Sequence, residues 1–258
     1  MSAIYFEIGT RVKTVDDSFE VLHKAEADGD LLQVIGPNTA LRRSGRLLDR
    51  MEQTRDETIK LVQRLFSSKS TDIPQVVIFS GVAPGSGCSW VCARVAEIVA
   101  AHVEGSVCLV DANFHSDSIH RHFETGRPRK VSDERSLLSP VRRNGQSPKG
   151  GKLWLLSLKP AGEWQTPGSL DRFQSRLLEL RKDFAVILID APPINAYVDA
   201  ALLGRMADGL VMVLQADHTR REAAQRAKEI LDAAGVRVLG AVLNKRTFPI
   251  PEFLYRRL

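Results

Sequence analysis

With 258 residues, 43% of them hydrophobic, the chain can bury a full core and has the usual size of one doubly wound α/β domain. Its apolar stretches are strand-sized, none approaching the roughly twenty residues that span a bilayer, and the start MSAIYFEIGT lacks a basic segment followed by an apolar block, so a soluble cytoplasmic protein is expected. A net charge of +5 is mild enough to be solvated surface charge, and three cysteines with no C-x-x-C and no metal-ligand spacing to histidine indicate neither a disulfide framework nor a zinc site.

Residues 1–36 mix charge with short apolar runs and show no periodicity; we read residues 1–40 as an N-terminal extension or linker ahead of a domain over 41–258. From Leu41 to Phe66, the residues Leu48, Met51, Ile59, Val62 and Phe66 recur at helical spacing, which predicts an amphipathic helix packed on a sheet. A strand over 75–80 leads into a Gly/Pro/Ser turn and a helix from Ser89 to His102 that is apolar nearly all round and hence buried, followed by a strand over 106–111. Residues 124–152 bring Arg127, Arg129, Lys130, Arg135, Arg142, Arg143, Lys149 and Lys152 among Gly, Ser and Pro. Such a segment is a surface loop with solvated charges, or one that touches a phosphate or an acidic partner. Strands over 153–158, 185–190, 209–215 and 236–243 then alternate with helices over 169–182, 198–206 and 219–234. Strands apolar throughout, alternating with helices, predict an α/β fold: a doubly wound, mostly parallel sheet with helices on both faces.

The run VVIFSGVAPGSGCS has the form of a phosphate-binding loop, with small residues between a strand and a helix start where backbone N–H groups converge on an anion. Gly81, Pro84, Gly85, Ser86 and Gly87 form its body, and Ser89 offers the hydroxyl that holds Mg²⁺ beside a bound ATP. Between Gly87 and Ser89, where such loops carry the Lys that reaches the β- and γ-phosphates, stands Cys88. A thiol at a helix start is also a candidate low-pKa nucleophile; Cys92, one turn on, reads as a core residue. In open parallel sheets ligands sit beyond the carboxyl ends of the strands. There the chain places Asp111, Asp190 and Asn244, two carboxylates suited to Mg²⁺ or to a reacting hydroxyl and an amide suited to a base edge, although Asp also caps helices and turns. His115, His120 and His122 near Asp111 are either surface histidines or metal ligands.

In order along the chain, SGVAPGSGCSWVCARVAEIVA, CLVDANFHSDSIHRHF, the PAG at Pro160–Gly162, VILIDAPP with Asp199 after it, ADGLVMVLQADHTRREAAQRAKEIL and GVRVLGAVLNK resemble the cytoplasmic domain of bacterial tyrosine kinases (BY-kinases) of capsule and exopolysaccharide synthesis, members of the MinD/ParA-like class of P-loop ATPases. The resemblance implies a Walker A loop at residues 80–89, an ATP·Mg²⁺ site and catalytic acids at Asp111 and Asp190. It further implies a base-contacting role for Asn244. As partners it implies a membrane-bound polysaccharide chain-length regulator, an active kinase homologue or further copies of the chain, with no nucleic acid, at the inner face of the membrane. The chain departs from the pattern at Cys88 for Lys, at Asn113 for an acid, in PNTALRRSGR, where Arg42, Arg43 and Arg46 remain without the Glu of the assembly signature, and in a tail with one tyrosine, Tyr255. These departures imply weakened kinase and ATPase activity or a pseudokinase scaffold; a positioning ATPase of the MinD/ParA kind is a third reading.

Overall fold

The computed structural model describes residues 6–8, 44–66, 73–116, 119, 122–123, 138–140, 153–158 and 169–245. Within them one sheet contains β1 (Phe6–Ile8), β2 (Val76–Gly81), β3 (Val107–Asp111), β4 (Leu138–Pro140), β5 (Leu153–Ser157), β6 (Val186–Ala191), β7 (Gly209–Gln215) and β8 (Val238–Asn244). Their spatial order is β1-β8-β7-β2-β6-β3-β5-β4. The inner strands from β8 to β5 run parallel, while β1 and β4 close the edges antiparallel to β8 and β5. The helices are α1 (Ser44–Leu65), α2 (Cys88–His102), α3 (Ser169–Asp183), α4 (Asp199–Gly204) and α5 (Arg221–Ala233).

The strands alternate their side chains between two cores. Val77 and Phe79 of β2, Val107 and Leu109 of β3 and Leu188 of β6 pack with α1 and α2, whereas Ile78, Val110, Ile187 and Ile189 pack with α3, α4 and α5. Since successive residues of a strand point to opposite faces, Asp111 and Asp190 leave the strand tips on the α2 side. The apolar residues behind them, each worth about 1.5–3 kcal/mol when buried, fix where the acids stand. On α1 the buried stripe comprises Leu61 and Leu65, with Val62 and Phe66 partly covered.

Two strands were not anticipated. β1 lies in the segment expected as an extension or linker, and β4 lies in the basic stretch expected as a surface loop. Each has three residues, too few to display a period of two, and each pairs only at an edge. The remainder of residues 1–40 and of 124–152, together with Arg42, Arg43, His120, Pro160–Gly162 and Tyr255, lies outside the described residues. Among the described residues no helix is long and apolar enough to cross a membrane.

At the amino ends of the strands a polar clamp ties α3 to the sheet. Asp208 accepts from Arg181 at 2.6 and 3.1 Å and from the backbone N–H groups of Gln75 and Val76 at 2.8 Å each. Burial alone would raise the Asp208 carboxyl, but these donors outweigh it and hold it below its ordinary value.

Candidate nucleotide site at the carboxyl edge

β2 ends at Gly81, and the chain turns through residues 82–87 before α2 opens at Cys88. The turn is built on left-handed glycines, Gly85 at φ 84° and Gly87 at φ 82°, a conformation that other residues enter only at a cost. Its carbonyl oxygens face protein donors. Ile194 N–H bonds Gly81 O at 2.8 Å, Ser86 N–H reaches Ala83 O at 3.4 Å, and Val91 N–H bonds Gly87 O at 3.1 Å. By contrast, the N–H groups of Gly85, Gly87, Cys88 and Ser89 donate to no backbone carbonyl among the described residues. A loop with its acceptors engaged and its donors converging at a helix N-terminus fits a phosphate group.

Beneath the loop, Asp111 and Asp190 are direct register partners on adjacent parallel strands, and both are 0% exposed. Asp111 Oδ1 accepts from Asn113 N–H at 3.2 Å. The amide oxygen of Asn113 is buried with no hydrogen-bond partner among the described residues, an acceptor that a ligand or water would satisfy. Ser89, at the first turn of α2, is buried as well. An all-oxygen set of hydroxyl and carboxylates suits a hard cation such as Mg²⁺, which keeps several of its waters.

Cys88 is buried, with the Asp190 carboxylate close by. Burial first, then the charge of Asp190 and the proximity of Cys92, push the Cys88 thiol well above its ordinary value. Burial with Asp190 and Asp111 does the same to Cys92, and burial carries Cys108 up to about 12. A helix-start thiolate is therefore not formed at Cys88: desolvation and a neighbouring anion overwhelm the dipole. Cys88 therefore brings a neutral side chain to the start of α2.

Asn244, expected to read a base edge, clamps the loop in the folded chain. Its Nδ2 donates to Ser86 O at 2.8 Å, its Oδ1 accepts from Lys245 N–H at 2.8 Å, and the side chain is buried. Gly87 makes that approach possible, since a Cβ there would stand 2.3 Å from Asn244 Nδ2. Lys245 was not singled out in the sequence; its only signal there is that it follows a strand-end Asn. A cleft of about 410 Å³ opens beside the loop, between Ala83, Pro84 and Ser86 and the start of α5, where Arg220 and Arg226 line it. His115 stacks on Tyr197 at 3.6 Å, with Nε2 3.7 Å from the Asp199 carboxylate. No group of three or more metal-ligating side chains occurs among the described residues.

No protein-family model matches the chain. The tyrosine-protein kinase YwqD of Bacillus subtilis is 28% identical over 184 residues, covering 69% of this chain and 75% of that protein. The chain is a homologue of the bacterial tyrosine kinases. Against the tyrosine-protein kinase CpsD of Streptococcus agalactiae the identity is 38% over 73 residues, 28% of this chain but only 32% of that one. The kinase domain of the Escherichia coli tyrosine kinase ETK shares the fold, with a TM-score of 0.65 at 17% identity over 83% of this chain and 86% of that one. Against this BY-kinase background, the loop, the paired acids and the thiol at position 88 occupy one edge of the sheet.

Proposed function

We propose that the chain is a BY-kinase-like protein of capsule or exopolysaccharide biosynthesis or export, which binds ATP·Mg²⁺ but transfers or hydrolyses the γ-phosphoryl group slowly. The observation that carries this reading is Cys88, a buried neutral residue close to Asp190 within a loop whose backbone donors converge at a helix start. The N–H groups of Gly85, Gly87, Cys88 and Ser89 hold the phosphates, and Ser89, Asp111 and Asp190 hold the metal, directly or through its waters. Bound Mg²⁺ supplies neutralisation of phosphate charge. Asp111 and Asp190 also orient the attacking hydroxyl and accept its proton. Position 88 contributes no charge to the transferring group, so the transition state loses a contact worth about 1.5–3 kcal/mol or more.

A second reading, a non-catalytic scaffold, draws on the same residue, because a buried neutral thiol close to Asp190 brings no charge to the chemistry. In either case a membrane-bound polysaccharide chain-length regulator, or an active kinase homologue, recruits the protein to the inner face of the membrane. Incubating the purified chain with ATP and Mg²⁺ and following hydrolysis and tyrosine phosphorylation tests the proposal. Turnover below the roughly 1 s⁻¹ of ordinary kinases, with faint tyrosine labelling, is expected; robust autophosphorylation would overturn the attenuated-kinase reading.

A further inference from the structure

A nucleoside triphosphate site needs a cation over its phosphates, and residue 88 provides none. In the folded chain a cation does reach the loop, from a position 160 residues further along the sequence. β8 ends at Asn244, and Lys245 then adopts a left-handed backbone, φ 65°, in which a non-glycine residue is uncommon. The 2.8 Å bond from its N–H to Asn244 Oδ1 holds it there. This turn directs the side chain back over the loop. Lys245 Cε lies 3.4 Å from where a Cβ on Gly87 would be, and Nζ donates to Gly85 O at 2.6 Å. The stem thus runs along the very glycines that shape the anion cradle. An ammonium has three donors, and one bond to a carbonyl leaves it able to take a phosphate oxygen. Arg220 and Arg226 line the cleft on the Ala83–Pro84 side of the loop.

We propose that Lys245 supplies the phosphate-binding cation that position 88 lacks, contacting the polyphosphate of a bound nucleoside triphosphate. The inference rests on the nucleotide-binding reading above. It explains how a loop without its own lysine retains affinity: Lys245 restores ground-state binding from outside the loop, while the transition state still misses a charge at position 88.

The test is calorimetric titration of the full chain with ATP, ADP and AMP in Mg²⁺, for the wild type, Lys245→Met, Lys245→Arg, and Lys245→Met combined with Cys88→Lys. Lys245→Met lowers ATP affinity roughly ten- to a hundredfold and AMP affinity far less, Lys245→Arg retains most of it, and Cys88→Lys rescues the Met variant. Equal loss for ATP and AMP would overturn the inference, because it would reveal a loop strap and not a phosphate contact. Unchanged ATP affinity in Lys245→Met would overturn it while leaving the nucleotide site standing, whereas a wild type that binds no ATP would overturn both. A measurement on the wild type alone guards against misfolding of the variants: an amine-acylating reagent labels Lys245 in the free chain, and ATP·Mg²⁺ protects it. Absence of protection under saturating ATP would equally overturn the proposal.

Discussion

A protonated thiol buried beside a carboxylate is a poor nucleophile, and all three cysteines are buried with raised pKa values. The folded chain therefore resists alkylation at pH 8, and the three thiols react only after unfolding; rapid labelling of Cys88 in the native state would show an activated thiolate. The two acids lead to a second prediction. Asp111→Asn and Asp190→Asn remove one of two buried charges in direct register, so the unfolding midpoint holds or rises while Mg²⁺-dependent ATP binding is lost. ATP·Mg²⁺ affinity unchanged in both variants would reduce the acids to structural residues. At this scale the loop residues and strand-end acids were legible, because local spacing and the end of an apolar run announce them. The engagement of Asn244 with Ser86, and of Lys245 with Gly85, was not, since each joins groups about 160 positions apart that only the finished sheet brings together.

Among the elements, the loop glycines separate backbone strain from close packing. Gly85→Ala meets nothing within 4 Å and bears only its left-handed φ, about 1–2 kcal/mol. Gly87→Ala bears the same strain and also displaces Asn244, since its Cβ would stand 2.3 Å from Nδ2. Denaturant unfolding and ATP titration should find Gly87→Ala the more damaging in both; equal effects would mean that the Asn244 clamp does not shape the loop. At the opposite end of the sheet, Asp208→Ala leaves Arg181 and two backbone donors without their acceptor and costs about 1–3 kcal/mol. Because the folded carboxyl titrates below its unfolded value, the clamp's pH-dependent stabilisation is present above about pH 4 and disappears as pH falls through the folded pKa. An acid-unfolding profile identical in wild type and Asp208→Asn would contradict this. The parallel strands were legible because burial on both faces makes them continuous apolar runs. β1 and β4 were hidden because three residues at a sheet edge carry no such pattern.

The whole molecule joins a parallel-sheet scaffold to a candidate site at its carboxyl edge. The sheet brings the phosphate loop, the paired acids and the tip of β8 to one edge, and the order of strands around β2 puts that edge where open α/β sheets bind ligands. Two side chains set its charge: the neutral thiol of Cys88, buried close to Asp190, and Lys245 from the tip of β8, laid over the loop. The central claim is that Cys88 limits phosphoryl transfer, and ATP turnover by the wild type and by Cys88→Lys, compared at saturating ATP and Mg²⁺, tests it most directly. The wild type should turn over more slowly than the roughly 1 s⁻¹ of ordinary kinases, and Cys88→Lys should exceed it by at least about tenfold. A wild-type rate already in the ordinary kinase range, and unmoved by the new lysine, would contradict it.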